Sequence, residues 1–155
     1  MDNRLNKRCE ADALIWSEQQ IALPRAGQFD QLDPESVIAV LEYQVQSDKE
    51  EVARRLRSLI TSLLKYQFQP QRRSRSWVMT INSHRNKIQH LLQRMPSLRS
   101  QLDEYVADEY PRAIRDAAWE TCLPPSTFPQ KSPYTTDQIL DANFFPDQNE
   151  KAVDP

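Results

Sequence analysis

Among its 155 residues the chain has a single glycine, Gly27. That scarcity argues against architectures built from tight β-hairpins, whose two-residue turns need backbone at positive φ. Cysteine is almost as rare. Cys9 and Cys122 are the only two, far apart and in no CxxC arrangement, so neither a disulfide framework nor a zinc site is indicated. No run approaches the ~20 apolar residues of a membrane-spanning helix. The opening MDNRLNKRCEADALIW also lacks the apolar segment, roughly 7 to 15 residues long, of a secretory signal. These absences predict a protein of the reduced cytoplasm without membrane association. Strand-like alternation, internal repeats and low-complexity tracts are missing too.

Proline, by contrast, is abundant at eleven residues, which suits helices with sharp stops. The length predicts one helical-bundle domain over residues 1–147 followed by a short flexible tail, 148–155, with a core that needs neither disulfides nor metal.

The formal charge of −2 conceals a sorted distribution. Residues 1–48 carry 4 basic and 9 acidic side chains, residues 49–99 carry 12 and 2, and residues 100–155 carry 4 and 11, giving −5, +10 and −7. A basic middle of this kind either meets an anionic partner or is neutralised by the acidic segments of its own chain. Because the blocks nearly cancel, self-neutralisation is favoured.

Apolar spacing sets out the helices. A first helix is expected from about Arg8 to Leu23, with Leu14, Ile15, Trp16 and Ile21 on or near a buried stripe, ending before Pro24 and Gly27. Phe29 and Leu32 are expected to tack down the following loop. Asp33, Pro34 and Glu35 read as an N-cap, a proline at the first helical position and an acid in the first turn. From there Val37, Leu41, Val45, Val52, Leu56, Leu59 and Leu63 recur by threes, fours and one seven, with Ile38, Ile60 and Leu64 widening the stripe. This predicts a long helix to about Gln67, weakest across QVQSDKEE, where an exposed turn near Ser47 and Asp48 would cost little. Trp77, Ile81, His84, Ile88, Leu91 and Met95 then form the seam of a third helix, stopped by Pro96.

Ser97 can cap a fourth helix whose apolar face uses Leu98, Leu102, Tyr105, Val106, Ile114, Ala117, Ala118 and Leu123, and Pro111 should kink or divide it. Beyond Leu123 the chain is too proline-rich for a long helix and too aromatic for a free tail. It is expected to wrap the bundle through Phe128, Tyr134, Phe144 and Phe145, with a short helix at Thr136 to Asp141.

Chemistry is hard to find. The di-iron bundle motif requires Glu-x-x-His pairs, and the residues three before His84 and His90 are Ile81 and Lys87. His84 lies on the apolar seam and could act with Glu42, Glu109 or Glu120, but a core histidine bonded to one carboxylate or backbone oxygen is the simpler expectation. No serine sits in G-x-S-x-G, and capping accounts for Ser74 and Ser97. Cys122 reads as a packed thiol, and Trp77 and Trp119 as core or seam residues.

The stretch LLKYQFQPQRRSRSW places three arginines between two helices. Arg72, Arg73 and Arg75 lie where the dipole of the preceding helix favours cations and that of the following helix disfavours them, each by roughly 0.3 to 1 kcal/mol. What remains is mutual repulsion, relieved by phosphate or by acids such as Asp103, Glu104 and Asp108. Lys65, Arg72, Arg73, Arg75 and Arg85 are therefore the candidate anion- or partner-binding residues. No catalytic residue, metal ligand or cofactor is predicted.

The residues from Asp12 to Trp16, the run RAGQFDQLD, the LLKYQFQPQRRSRSW hinge, and TINSHR, PSLR, ETCLPPSTFP, PYTTDQILD and FFP resemble domain-of-unknown-function family twenty-nine, a helical family best represented in cyanobacteria. The resemblance covers nearly the whole chain and implies an α-helical bundle without an established activity. Two departures stand out. Where the resemblance implies a Glu-Glu-Ile-Glu run in the second helix and a histidine before LLK, this chain has Ala39, Val40, Leu41 and Glu42, and then Ser62. Had those acids and that histidine formed a metal or catalytic site, only Glu42 would remain.

The sequence thus predicts an all-α, mostly antiparallel bundle of four to five helices with a proline-rich C-terminal wrap. The expected role is a non-enzymatic interaction or structural module with a protein partner or with itself. The alternative is a nucleic-acid-associated protein that holds phosphates through segment 49–99.

Overall fold

The computed structural model describes residues 12–147. Among them the chain is all-α, with no strand. The expected helix start at Arg8, Cys9 and the tail 148–155 lie outside the described residues. Five α-helices follow in order: α1 (Ala13–Arg25), α2 (Pro34–Phe68), α3 (Arg75–Arg94), α4 (Leu102–Thr121) and α5 (Thr136–Leu140), with short 3-10 turns between them. The chain forms two compact units, residues 1–49 and 50–155. No helix among the described residues is long and apolar enough to cross a membrane.

In the first unit, Asp12 caps α1 by accepting from the Ile15 amide at 3.1 Å. The one glycine ends it. Gly27 takes φ +73°, the Gln28 amide bonds the Leu23 carbonyl at 2.9 Å and the Gly27 amide that of Pro24 at 3.1 Å, which together form a Schellman stop. Asp33 caps α2 through the Ser36 amide and hydroxyl, as the Asp-Pro-Glu triplet predicts. Burial does not follow the prediction. No residue of α1 is buried; Leu14, Ile15 and Ile21 are exposed and Trp16 is half-buried. Phe29 is 64% exposed, so it does not tack down its loop. Helix α2 has no break at Ser47 and Asp48, yet Ile38, Leu41 and Val45 along its first part lie in solvent.

The second unit holds the core. Val52, Leu56, Leu59, Ile60, Leu63 and Leu64 from α2 pack with Ile81, Ile88, Leu91 and Leu92 from α3 and with Leu102, Val106, Ala113 and Ala117 from α4. Ser74 caps α3 by accepting from the Trp77 amide at 3.3 Å. The seam of α3 is as its spacing predicts, with Ile81, Ile88 and Leu91 buried and Trp77, His84 and Met95 half-buried. Two expectations for the fourth helix are not met in full. Ser97 lies inside a 3-10 turn, Pro96–Gln101, so α4 starts from Gln101 without a side-chain cap. Pro111 does not divide the helix, which runs unbroken from Leu102 to Thr121, although proline supplies no backbone donor there. Sequence-distant contacts rise in step along α4 and along α2 with the residue that follows it: Arg57 with Glu109, Thr61 with the Ala113 carbonyl, Lys65 with Glu120 and Gln69 with the Thr121 carbonyl. These two helices therefore run parallel, as they must when α3 returns between them.

The C-terminal wrap is present. Phe128 and Tyr134 are buried, Phe68 meets Phe128 edge-on at 5.3 Å and Tyr134 meets Phe144 at 6.0 Å. The polar ends of the buried tyrosines find partners, Tyr134 donating to Gln67 Oε1 and Tyr110 to the Pro129 carbonyl, both at 2.6 Å. Burial pushes both phenols well above the ordinary tyrosine range. A capping box at Thr135 and Gln138 starts α5, close to the expected boundaries.

Candidate functional site

The five candidate cations are divided among three kinds of environment. Arg85 is 2% exposed and acts as an internal clamp. Its Nε donates to the Ile139 carbonyl at 2.8 Å, and its Nη2 to the carbonyls of Phe144 at 2.7 Å and Gln138 at 3.3 Å. Its guanidinium lies 5.2 Å from the Phe145 ring centre. Burial pulls its pKa down, opposed by the nearby Asp141 carboxylate. Arg73 grips the same wrap further along. It donates from Nε to the Tyr66 carbonyl at 2.7 Å, reaches the Pro146 carbonyl, approaches Asp147 at 3.5 Å and stacks over Tyr66 at 4.4 Å. Lys65 bonds Glu120 at 2.6 Å and lies over the Trp77 ring at 5.1 Å.

The side chains of Arg72 and Arg75 are exposed and make no hydrogen bond or ion pair among the described residues. The structure thus draws three of the five into intramolecular contacts and leaves two in solvent. The acids that pair with the basic segment are not those the sequence suggested. Asp103 accepts from the Thr136 hydroxyl, while Glu109 and Asp116 take Arg57 at 3.7 and 3.4 Å. Glu109, nearly buried, also accepts from Arg112 at 3.0 Å. Nothing in the local spacing marked it as a buried charge, because its partner on α2 is far away in sequence.

His84 is half-buried on α3, and its Nδ1 has no protein partner. The expected bond from this nitrogen to a carboxylate or backbone oxygen is not made; Glu109 and Glu120 are engaged by arginine and lysine. Burial, with Lys87 and Arg55 nearby, holds its pKa below the ordinary 6.5. Among the described residues no three of His, Cys, Asp and Glu gather as metal ligands would. Cys122 is exposed rather than packed. It ends α4 in the left-handed region, φ 56°. Trp119 is 86% exposed, contrary to its expected place in the core. It lines an open cleft of about 510 Å³ with Ala118, Cys122, Leu123 and Pro124.

The largest anomaly is in the first unit. Leu14, Ile15, Ile21, Phe29, Ile38, Val40, Leu41, Tyr43 and Val45 are all exposed. Scattered apolar residues on a surface are ordinary, but nine large ones within three dozen residues are not. Helical spacing alone could not reveal this, since a stripe that needs burial reads the same whether its own chain or another covers it. The one available signal was the poorly apolar QVQSDKEE, which separates the exposed half of the α2 stripe from the buried half.

No curated protein and no solved structure matches the chain. Residues 9–145 match the family described as domain of unknown function DUF29. With most of its length so matched, and with the α-helical bundle that the resemblance implied, the chain belongs to the DUF29 family.

Proposed function

We propose that the protein is a non-enzymatic, cytoplasmic interaction module that presents residues 12–45 of its first unit to another protein. The observation that carries this reading is the set of nine exposed large apolar side chains on α1, its following loop and the first part of α2. A soluble surface seldom displays so many without a partner to cover them. The uses of the polar side chains support a non-enzymatic role. Arg73 and Arg85 pin the wrap, Lys65 and Arg57 hold α4, and His84 has no carboxylate beside it to tune it as a base.

The competing reading, phosphate binding through segment 49–99, has only Arg72 and Arg75 of the five candidates still free. A photo-crosslinking residue in place of Leu41 or Val45, with Lys131 as an exposed control on the second unit, distinguishes them in cells. Protein adducts are expected at 41 or 45 and not at 131. No adduct at either test position would reject the module reading, and RNA adducts at Arg72 or Arg75 would favour its rival.

A further inference from the structure

Ile38, Leu41 and Val45 are separated by three and four residues and therefore share one face of α2. Seven residues on from Val45, Val52 keeps the same helical phase and is fully buried. The exposed residues thus continue the seam pattern that α2 uses in its core half, the pattern by which one helix receives another. These three side chains are 48%, 60% and 54% exposed and leave on the order of 300 Å² in solvent, the apolar centre of an interface rather than the whole of the about 800 Å² per partner that a stable one buries.

Charge selects among occupants. Residues 12–49 carry seven acidic side chains and two basic, Arg25 and Lys49. A second copy docking by the same face would bring these acids together, a juxtaposition that costs affinity. An anionic lipid surface would be repelled as well, since interfacial helices hold such surfaces with lysine and arginine on the polar face. A basic helix has both the shape and the sign that fit.

We propose that this face of α2 docks a basic amphipathic helix of another protein, its apolar side chains against Ile38, Leu41 and Val45 and its lysines or arginines toward Glu42 and the neighbouring acids. The proposal rests on the interaction-module reading and adds the chemistry of the partner. From Ile38 to Val45 the face is about 11 Å long, so an inserted helix needs about two to three turns of contact.

The test uses the full chain and two synthetic helical peptides with leucine at i, i+3, i+4 and i+7, one with lysine and the other with glutamate at the remaining positions. Isothermal titration is paired with sedimentation equilibrium of the protein alone. The lysine peptide is expected to bind one to one and at least about tenfold more tightly than its acidic twin, with the difference shrinking as salt is raised. Ile38→Ser with Leu41→Ser, checked for retained helicity by circular dichroism, should abolish binding, and Glu42→Gln should weaken it.

Equal binding of both peptides, lost in the double variant, would overturn the basic partner and leave the interaction module standing. Self-association lost in the same variant, with neither peptide bound, would make a second copy the occupant and overturn the proposal. Lysine-peptide binding that survives the double variant would be diffuse charge attraction and would also overturn it. No binding by a monomeric protein would remove both readings.

Discussion

His84 shows what a single residue's surroundings dictate. Its imidazole is half-buried, close to Arg55 and Lys87, and folding lowers its pKa below the ordinary 6.5. The unfolded chain therefore binds the proton more readily, and stability must fall as pH drops through that value. Urea unfolding between pH 7.5 and 5.5 should show a declining midpoint, and His84→Gln should flatten the decline. A flat profile in the native chain would contradict the assigned environment. The side chain's position on the α3 seam was legible from spacing, but its missing partner was not, since that depends on where Glu109 and Glu120 are drawn by Arg57, Arg112 and Lys65. Arg85 gives the same lesson in the other direction. In the sequence it is one more cation in a basic block, and only the fold supplies the three carbonyls that make it a clamp.

At the scale of the element, α2 is two helices in energetic terms. Its later half buries Val52, Leu56, Leu59 and Leu63 completely, while its earlier half leaves Leu41 60% exposed. The same substitution should therefore read differently in the two environments. Ile88→Ala, at the buried α3 position facing this core, is expected to cost about 2 to 5 kcal/mol, whereas Leu41→Ala should stay within about 0.5 kcal/mol. Denaturation midpoints at constant m-value decide it, and similar losses in both variants would mean that the first unit is covered after all. Local signals predicted these elements well. Asp33, Ser74 and the Thr135–Gln138 box cap as their residue types require, because capping is a matter of a few neighbouring atoms. The Ser97 cap failed because Pro96 opens a 3-10 turn that continues to Gln101, carrying the helix start past the serine.

For the whole molecule the decisive quantity is how the basic middle is neutralised. Within the second unit Arg57, Lys65 and Arg73 each have a carboxylate within 3.7 Å, and Arg85 has its carbonyls. Nearly cancelling charge blocks pointed to self-neutralisation, but the sequence assigned the work to Asp103, Glu104 and Asp108, whereas the wrap and the end of α4 supply most of the partners. This difference has a measurable consequence. Five free cations on a phosphate face would give a slope of log K against log salt of roughly −4 to −5 on duplex DNA, and two would give about −2. With only Arg72 and Arg75 of the five candidates unengaged, binding to duplex DNA and to RNA should be weak at physiological salt, and the five together should contribute no more than the second figure. Arg72→Ala with Arg75→Ala is the informative variant, since it spares the Arg73 contacts that hold the wrap and should leave the unfolding midpoint unchanged. Sub-micromolar binding with a slope near −5, abolished by that pair, would mean that further cations of the basic middle join Arg72 and Arg75 on phosphate, and segment 49–99 would become the functional surface.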